Sequence, residues 1–422
     1  MKFQKKTFTN GLRVIFVPMP NSLTTTALVL TQTGSKYETK RINGISHFLE
    51  HMCFKGTLKR GTAKVISEEL DGLGAQYNAF TSLEYTGYYA KAESGNFKKI
   101  LACLSDIYLN SVFPKDEIEK ERGVIIGEIE MYEDTPRRHV WDLFTDVLYG
   151  NQPAGWNIAG TRETVSRMKR DDFVRYKESH YVAGSTIVVV AGNIDREEAF
   201  TEVREAFKTA LGGRKYGKKK VRDIQSSPRV FVEYKDTSQA HLIVGFRSYD
   251  IYHKAYPTLQ VLASLLGGGM SSRLFHRIRD EMGAGYYVGA ENESLTDHGY
   301  FATFVGADNK RVPEIIEAIL EEIKIVRDVK VSDGELAKVK NYLIGNMFSG
   351  LETSDALASF YGSAEVLKKH IKTPKEVAKE IHAVTAEQVQ KVAQELFTEK
   401  HLNLALVGPF HASKRFRRLL SL

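Results

Sequence analysis

The chain has 422 residues, 42% of them hydrophobic and 26% charged, with ten prolines and two cysteines. That balance excludes a disordered, collagen-like or disulfide-stapled protein, and the length points to two domains or three. The net charge of +7 is local: Arg214, Lys215, Lys218, Lys219, Lys220 and Arg222 against Asp223 give +5, and Lys414, Arg415, Arg417 and Arg418 give +4, leaving −2 elsewhere. The basic balance therefore marks a linker and a tail rather than a face for nucleic acid.

In chain order, MKFQKKTFTNGLRVIFVPMP reads as a strand after an Asn-Gly turn. Its apolar stretch is short, alternates and contains Arg13, so it does not read as a signal peptide. No apolar run approaches the roughly 18 residues that a membrane helix needs. Cys53 and Cys103 form no CxxC. A soluble, cytoplasmic protein is the expectation.

Strands are expected at 27–30, 75–80 and 84–90, amphipathic helices at 94–109 and 115–132, and a buried strand ending in glycine at 186–192. The second half repeats the series: strands at 241–246, 286–290 and 300–304, helices at 313–326 and 332–347, and a glycine-ended strand at 403–408. The offsets cluster near 210 to 216 residues, which makes the chain one large duplication. Residues 1–211 and 228–422 are the expected domains, joined by a flexible, solvated basic linker at 212–227. Hairpins and blocked helices predict an α+β fold: two duplicated domains, each a mostly antiparallel sheet covered by helices on one face.

The chemistry concentrates at His47-Phe48-Leu49-Glu50-His51. On a helix, i and i+4 share a face, so both imidazoles reach one ion. Glu50 stands beside the second histidine, within reach of a metal-bound water. HxxEH is the reverse of HExxH and marks a group of zinc peptidases. Catalytic zinc takes three protein ligands plus water, so a third is required. Helical spacing sets Glu121, Val124, Ile125, Glu128, Ile129 and Tyr132 on one face, apolar but for two glutamates. A carboxylate in an apolar stripe is costly unless paired or metal-bound. Glu121 and Glu128 are the candidates, one a ligand and one its support. Glu130 and Glu133 fall on solvated faces. His139, His180, His241 and His401 lack partner spacing and read as structural.

With HFLEH at 47–51, ERGVIIGEIEMYEDTP at 121–136 and GGGMSSRLFHRIRDEMGAGYY at 267–287, the chain resembles the pitrilysin-type zinc peptidases. It is most similar to their short-chain group of bacterial processing proteases and mitochondrial processing peptidase β-subunits. The resemblance spans both halves. It implies one Zn2+ per chain on His47, His51 and Glu128, with Glu121 orienting the site. It implies Glu50 as general base toward the zinc-bound water, then as donor to the leaving amine. It also implies Arg279 and Tyr286, seven residues apart in the second half, as the pair that meets the oxyanion. Residues 74–81, with Asn78, Ala79 and Phe80, resemble the family's substrate-facing edge strand, to which an extended peptide adds by β-augmentation. An ordinary buried strand fits the same periodicity. Gly267 to Gly269 resemble the processing peptidases' glycine-rich loop, and equally fit a turn that ends a helix.

Shifting His47 by the repeat offset lands near Leu259 to Ala263, where no metal ligand stands. The second half therefore carries no zinc site. Long family members have four such domains around a chamber, so two chains are expected to pair. The expected function is a homodimeric zinc endopeptidase acting on unfolded or extended peptides. Alternatives are the catalytic subunit of a heterodimer with a zinc-free homologue, or a structural assembly subunit. The intact His47, Glu50, His51 and Glu128 set counts against the last.

Overall fold

The computed structural model describes residues 2–213, 215–368, 370–411 and 413–422; Arg214, counted above in the basic linker, lies outside the described residues. The chain forms two compact units. The first takes Met1–Ile129, Asn157–Lys219 and Phe348–Pro374, and the second takes Glu130–Trp156, Lys220–Met347 and Lys375–Leu422.

The first unit is built on a six-stranded sheet. Its strands are β1 (Gln4–Thr7), β2 (Arg13–Pro18), β3 (Thr24–Thr31), β4 (Gln76–Thr81), β5 (Thr86–Glu93) and β6 (Thr186–Gly192). Their order is β1-β2-β6-β3-β5-β4. Only β2 and β6 run parallel; the other neighbours are antiparallel. The β3 and β6 centres, Val29 opposite Val188 and Leu28 opposite Val189, are fully covered because both faces are packed. Helix Phe97–Asn110 lies on one face, where Phe97, Ile100, Leu104 and Tyr108 join the main core.

The second unit carries β7 (Arg229–Tyr234), β8 (Gln239–Ser248), β9 (Gly285–Ser294), β10 (Gly299–Asp308) and β11 (Leu402–Gly408), in the order β7-β11-β8-β10-β9. Here the parallel pair, β7 with β11, sits at one end, whereas in the first sheet β1 lies outside β2 and β6. The order matches β2-β6-β3-β5-β4 strand for strand, so the duplication read from offsets is a duplication of topology. The glycine-ended strands at 186–192 and 403–408 are equivalent, both running beside a parallel neighbour.

Two helices depart from the expected division. Ser354–Leu367, from the second half of the sequence, belongs to the first unit and covers the sheet's other face. Its Leu357, Ala358 and Tyr361 pack on Ile15, Val17, Leu28, Leu30, Ile187 and Val189. Its ends are tied to that sheet by Lys91 to Asp355 at 2.7 Å and by Arg13 to Glu365 at 3.0 Å. Reciprocally, Pro136–Tyr149 belongs to the second unit, where Val140, Phe144 and Leu148 cover Ile243, Ala302, Ala405 and Val407. Each sheet is thus covered on both faces, not on one. Alternate residues of its central strands are apolar on either side, and both sets must be buried. The expected boundary between 211 and 228 separates the two sheets but not the helices that cover them. Within the linker, Lys218 is only 14% exposed and pairs with buried Glu84, which also holds buried Lys36 at 2.9 Å.

Candidate metal centre

The helix that carries the histidines, Ile45–Cys53, is nine residues long. Its inward face, Ile45, Phe48, Leu49 and Met52, is in the core. The Phe48 ring meets Phe173 edge-on at 4.7 Å. The helix starts at Gly44, whose φ of +97° lies in the left-handed region and whose missing Cβ would sit 2.5 Å from the Ala159 carbonyl. Buried Glu38 closes that end: Oε2 accepts from Gly44 N at 2.7 Å and Oε1 accepts from Ser46 N at 2.8 Å. Two backbone donors that a helix start leaves unpaired are thereby satisfied. Burial pushes the Glu38 carboxyl up to about 7, against the pull of those bonds and of Asn43.

With the apolar face committed, His47 and His51 project on another side, one turn apart, their ring centres 4.6 Å apart. Burial and the neighbouring His51 lower the His47 imidazole to about 4, so it is neutral near pH 7. Its Nδ1 is buried and has no hydrogen-bond partner among the described residues. His51 Nδ1 meets Glu121 Oε1 at 2.8 Å, and Glu121 Oε2 meets Lys55 Nζ at 2.5 Å. Burial alone would raise the Glu121 carboxyl; His51 and Lys55 outweigh it and hold it below the usual range. Burial alone would likewise lower His51, but the bond to Glu121 and the surrounding carboxylates raise it.

Glu121 and Glu128 stand on the helix Lys115–Glu133. Seven residues are two turns, which puts both on one face. Glu121 is buried beside His51, while Glu128 Oε2 lies 3.7 Å from His47 Nε2 and 3.8 Å from His51 Nε2. One ligand atom from each of His47, His51 and Glu128 falls within 4.8 Å of the others, the one such group among the described residues. Donors about 2.1 Å from a tetrahedral ion stand about 3.4 Å apart. The three atoms therefore leave a gap of the right size, with nitrogen and oxygen donors suited to zinc. Val124, expected on the same face, is 55% exposed. It lies at the margin of the stripe, a full 100° from Ile125 around the helix.

Glu50 is 8% exposed. Burial raises its carboxyl, and the Thr81 hydroxyl, donating to Oε2 at 2.6 Å, pulls it back. Thr81 ends β4, which is an edge strand paired with β5 alone. Asn78 is exposed and Ala79 and Phe80 are half-buried, so the segment is not an ordinary buried strand.

Arg279 and Tyr286 lie in the second unit. The guanidinium donates to the Tyr286 carbonyl at 2.7 Å, which fixes the backbone at the start of β9 and leaves the ring 57% exposed. Gly267 to Gly269 close the helix Tyr256–Gly267, with Gly268 N bonded to the Ser264 carbonyl at 2.9 Å. His139, His180, His241 and His401 bond to Glu233, the Tyr176 carbonyl, Tyr287 and Thr398 respectively. Sequence reasoning missed Glu38, Lys55 and Thr81 around the histidine helix. Lys55 follows His51 by four residues, a helical spacing that could have found it; Glu38 and Thr81 have no such spacing, and chain folding brings them in.

Known proteins are similar to this chain over nearly its whole length. The family described as "Insulinase (Peptidase family M16)" matches residues 13–162, and "Peptidase M16 inactive domain" matches 167–343. An uncharacterised zinc protease of Bacillus subtilis is 36% identical over 96% of this chain and 98% of its own. Among solved structures, a protease from Helicobacter pylori superposes with a TM-score of 0.91 at 23% identity, over 97% of this chain and 99% of that one. A chain of Complex III2 from Candida albicans superposes with a TM-score of 0.84 at 18% identity, over 99% and 100%. At those identities the two structures speak for the fold alone.

Proposed function

The chain belongs to peptidase family M16, and from that premise we infer that it is a zinc-dependent endopeptidase of extended or unfolded peptides. The observation that carries the reading is the convergence of His47 Nε2, His51 Nε2 and Glu128 Oε2 beside the buried carboxyl of Glu50. The donor set fits zinc. When bound, the ion supplies Lewis-acid polarisation and a water acidified toward neutrality. His47, already neutral, offers Nε2 without losing a proton, and Glu121 orients His51 so that its Nε2 faces the same point. Glu50 takes the proton of the attacking water and returns it to the departing amine. Its burial favours that exchange by bringing the carboxyl closer to neutral pH. An extended peptide adds to the open edge of β4 through backbone pairing, past Asn78, Ala79 and Phe80.

The second unit holds no cluster of this kind among its described residues. Two chains therefore pair as a homodimer around the peptide, and Arg279 and Tyr286 of one chain serve the zinc of the other. Mixed dimers of Glu50→Gln and Tyr286→Phe chains would then regain up to about half the activity, because one site escapes both defects. Mixed dimers that form without recovery would remove the trans assignment. The primary test is metal analysis with cleavage of an unstructured peptide library. The wild type should hold about one zinc and cut, whereas Glu50→Gln should hold zinc and lose about 10²- to 10⁴-fold in turnover. Near wild-type turnover in that variant would end the peptidase mechanism.

A further inference from the structure

Thr81 sits 31 residues after Glu50 and on a different kind of element, yet its hydroxyl donates to Glu50 Oε2 at 2.6 Å. This is the hydrogen bond of the Glu50 carboxyl among the described residues. A glutamate has three rotatable side-chain bonds, and tying one oxygen selects one arrangement of them.

The residue that does the tying is itself held. Thr81 is opposite Thr86 at the end of the β4–β5 pairing. In the turn that follows, Ser82 N donates to the Tyr85 carbonyl at 2.9 Å, and Ser82 Oγ accepts from Tyr85 N at 3.2 Å. From the other side, Ser35 N and Lys36 N donate to the carbonyls of Ser82 and Leu83 at 3.2 and 2.9 Å. Gly34 packs so closely that a Cβ there would lie 2.1 Å from the Ser82 carbonyl oxygen. Glu84 is buried between Lys36 and Lys218. Such a turn has little freedom, so the hydroxyl is delivered to one place.

We propose that Thr81 is the positioning residue of the general base: it fixes Glu50 Oε2 and thereby presents the other carboxylate oxygen to the attacking water. The proposal rests on the peptidase reading above and adds a residue to it. A misplacement of about 1 Å at a reacting group costs on the order of 10²-fold in rate. Thr81→Val keeps the β-branched shape and removes the hydroxyl; Thr81→Ser keeps the hydroxyl and loses a methyl group.

Thr81→Val should bind zinc as the wild type does and keep KM within about threefold, while kcat falls about 10- to 100-fold. Thr81→Ser should return kcat to within about threefold of wild type, and Thr81→Val should add nothing to Glu50→Gln. Wild-type kcat in Thr81→Val overturns the proposal. So does a loss of zinc or of folding in Thr81→Val, or a failure of serine to restore turnover. Crystal structures of metal-free wild type and Thr81→Val supply the readout that needs no catalysis. The Glu50 carboxylate should leave its wild-type position in the valine variant, and an unmoved carboxylate sinks the proposal whatever the kinetics. If the wild type cuts no peptide while Glu50 does move, the peptidase reading fails and the positioning role stands.

Discussion

Ile45–Cys53 and Tyr256–Gly267 occupy equivalent places in the duplication, each between the long central strand and the edge strand of its sheet. The second is almost wholly interior: Leu259, Val261, Leu262, Leu265 and Leu266 are all at most 1% exposed. The first buries Ile45, Ser46, Phe48, Leu49, Met52 and Cys53 and gives its other three positions to His47, Glu50 and His51. One scaffold position has been filled for packing in one unit and with candidate metal ligands in the other. The cost shows in the surroundings. The histidine helix leaves His47 Nδ1 buried without a hydrogen-bond partner among the described residues and takes a buried carboxylate at its start, a cost its counterpart shares in part, since Tyr256–Gly267 buries Thr258 and leaves Ser264 Oγ without a partner among the described residues.

The contrast can be broken most severely at the ligands. His51→Ala should abolish stoichiometric zinc, since the helix then offers one imidazole, and metal analysis after dialysis reads it directly. Retention of one zinc per chain would move the site elsewhere.

On the packing side, Leu262→Ala should cost about 2–5 kcal/mol, because a fully buried leucine leaves a cavity. His51→Ala measured in metal-free protein should cost less, since His51 is partly exposed. Denaturant unfolding of both variants tests the ranking.

Glu38 separates the two helices by pH. Its carboxyl is raised in the fold to about 7 from an ordinary 4.5. Its contribution is therefore complete at pH values below the unfolded value and is lost as pH rises through about 7. The stability gap between wild type and Glu38→Gln should shrink by about 2–3 kcal/mol from pH 4.5 to 8. A constant gap in metal-free unfolding curves would show that the buried carboxyl does not titrate this way.

The smallest effect belongs to Glu121. Glu121→Gln should weaken zinc about 10- to 100-fold, as changes behind a metal ligand do, and Glu128→Gln should weaken it further. Equal affinities by competition with a chelator would erase the distinction between support and ligand.

Much of this was present in local pattern. HxxEH fixes its own geometry, because a helix brings i and i+4 together whatever surrounds it. The seven-residue interval of Glu121 and Glu128 on an apolar stripe works the same way, two turns on one face. The glycine-ended apolar strands and the offset of the halves reveal the duplication because strand and helix periods survive in sequence. What the sequence left open at Glu121 and Glu128 was which one faces the imidazoles. Both satisfy the periodicity, and only the approach of two helices puts Glu121 on His51 Nδ1 and Glu128 between the two Nε2 atoms.

The exchange of Pro136–Tyr149 and Ser354–Leu367 had no local signal either. An amphipathic helix states that it needs an apolar partner but not which sheet provides it, and that choice is made by chain connectivity and by the shape of the exposed face. The same holds for Glu38, Thr81 and Lys218. Each is an ordinary polar residue in a turn, strand end or linker, and becomes specific only when a distant segment folds against it. The sequence by itself carried the most periodic elements, their repetition and the candidate metal-binding set. The tertiary structure decided which carboxylate faces the histidines, which helix covers which sheet and what holds Glu50, because those depend on contacts between segments that no local period encodes.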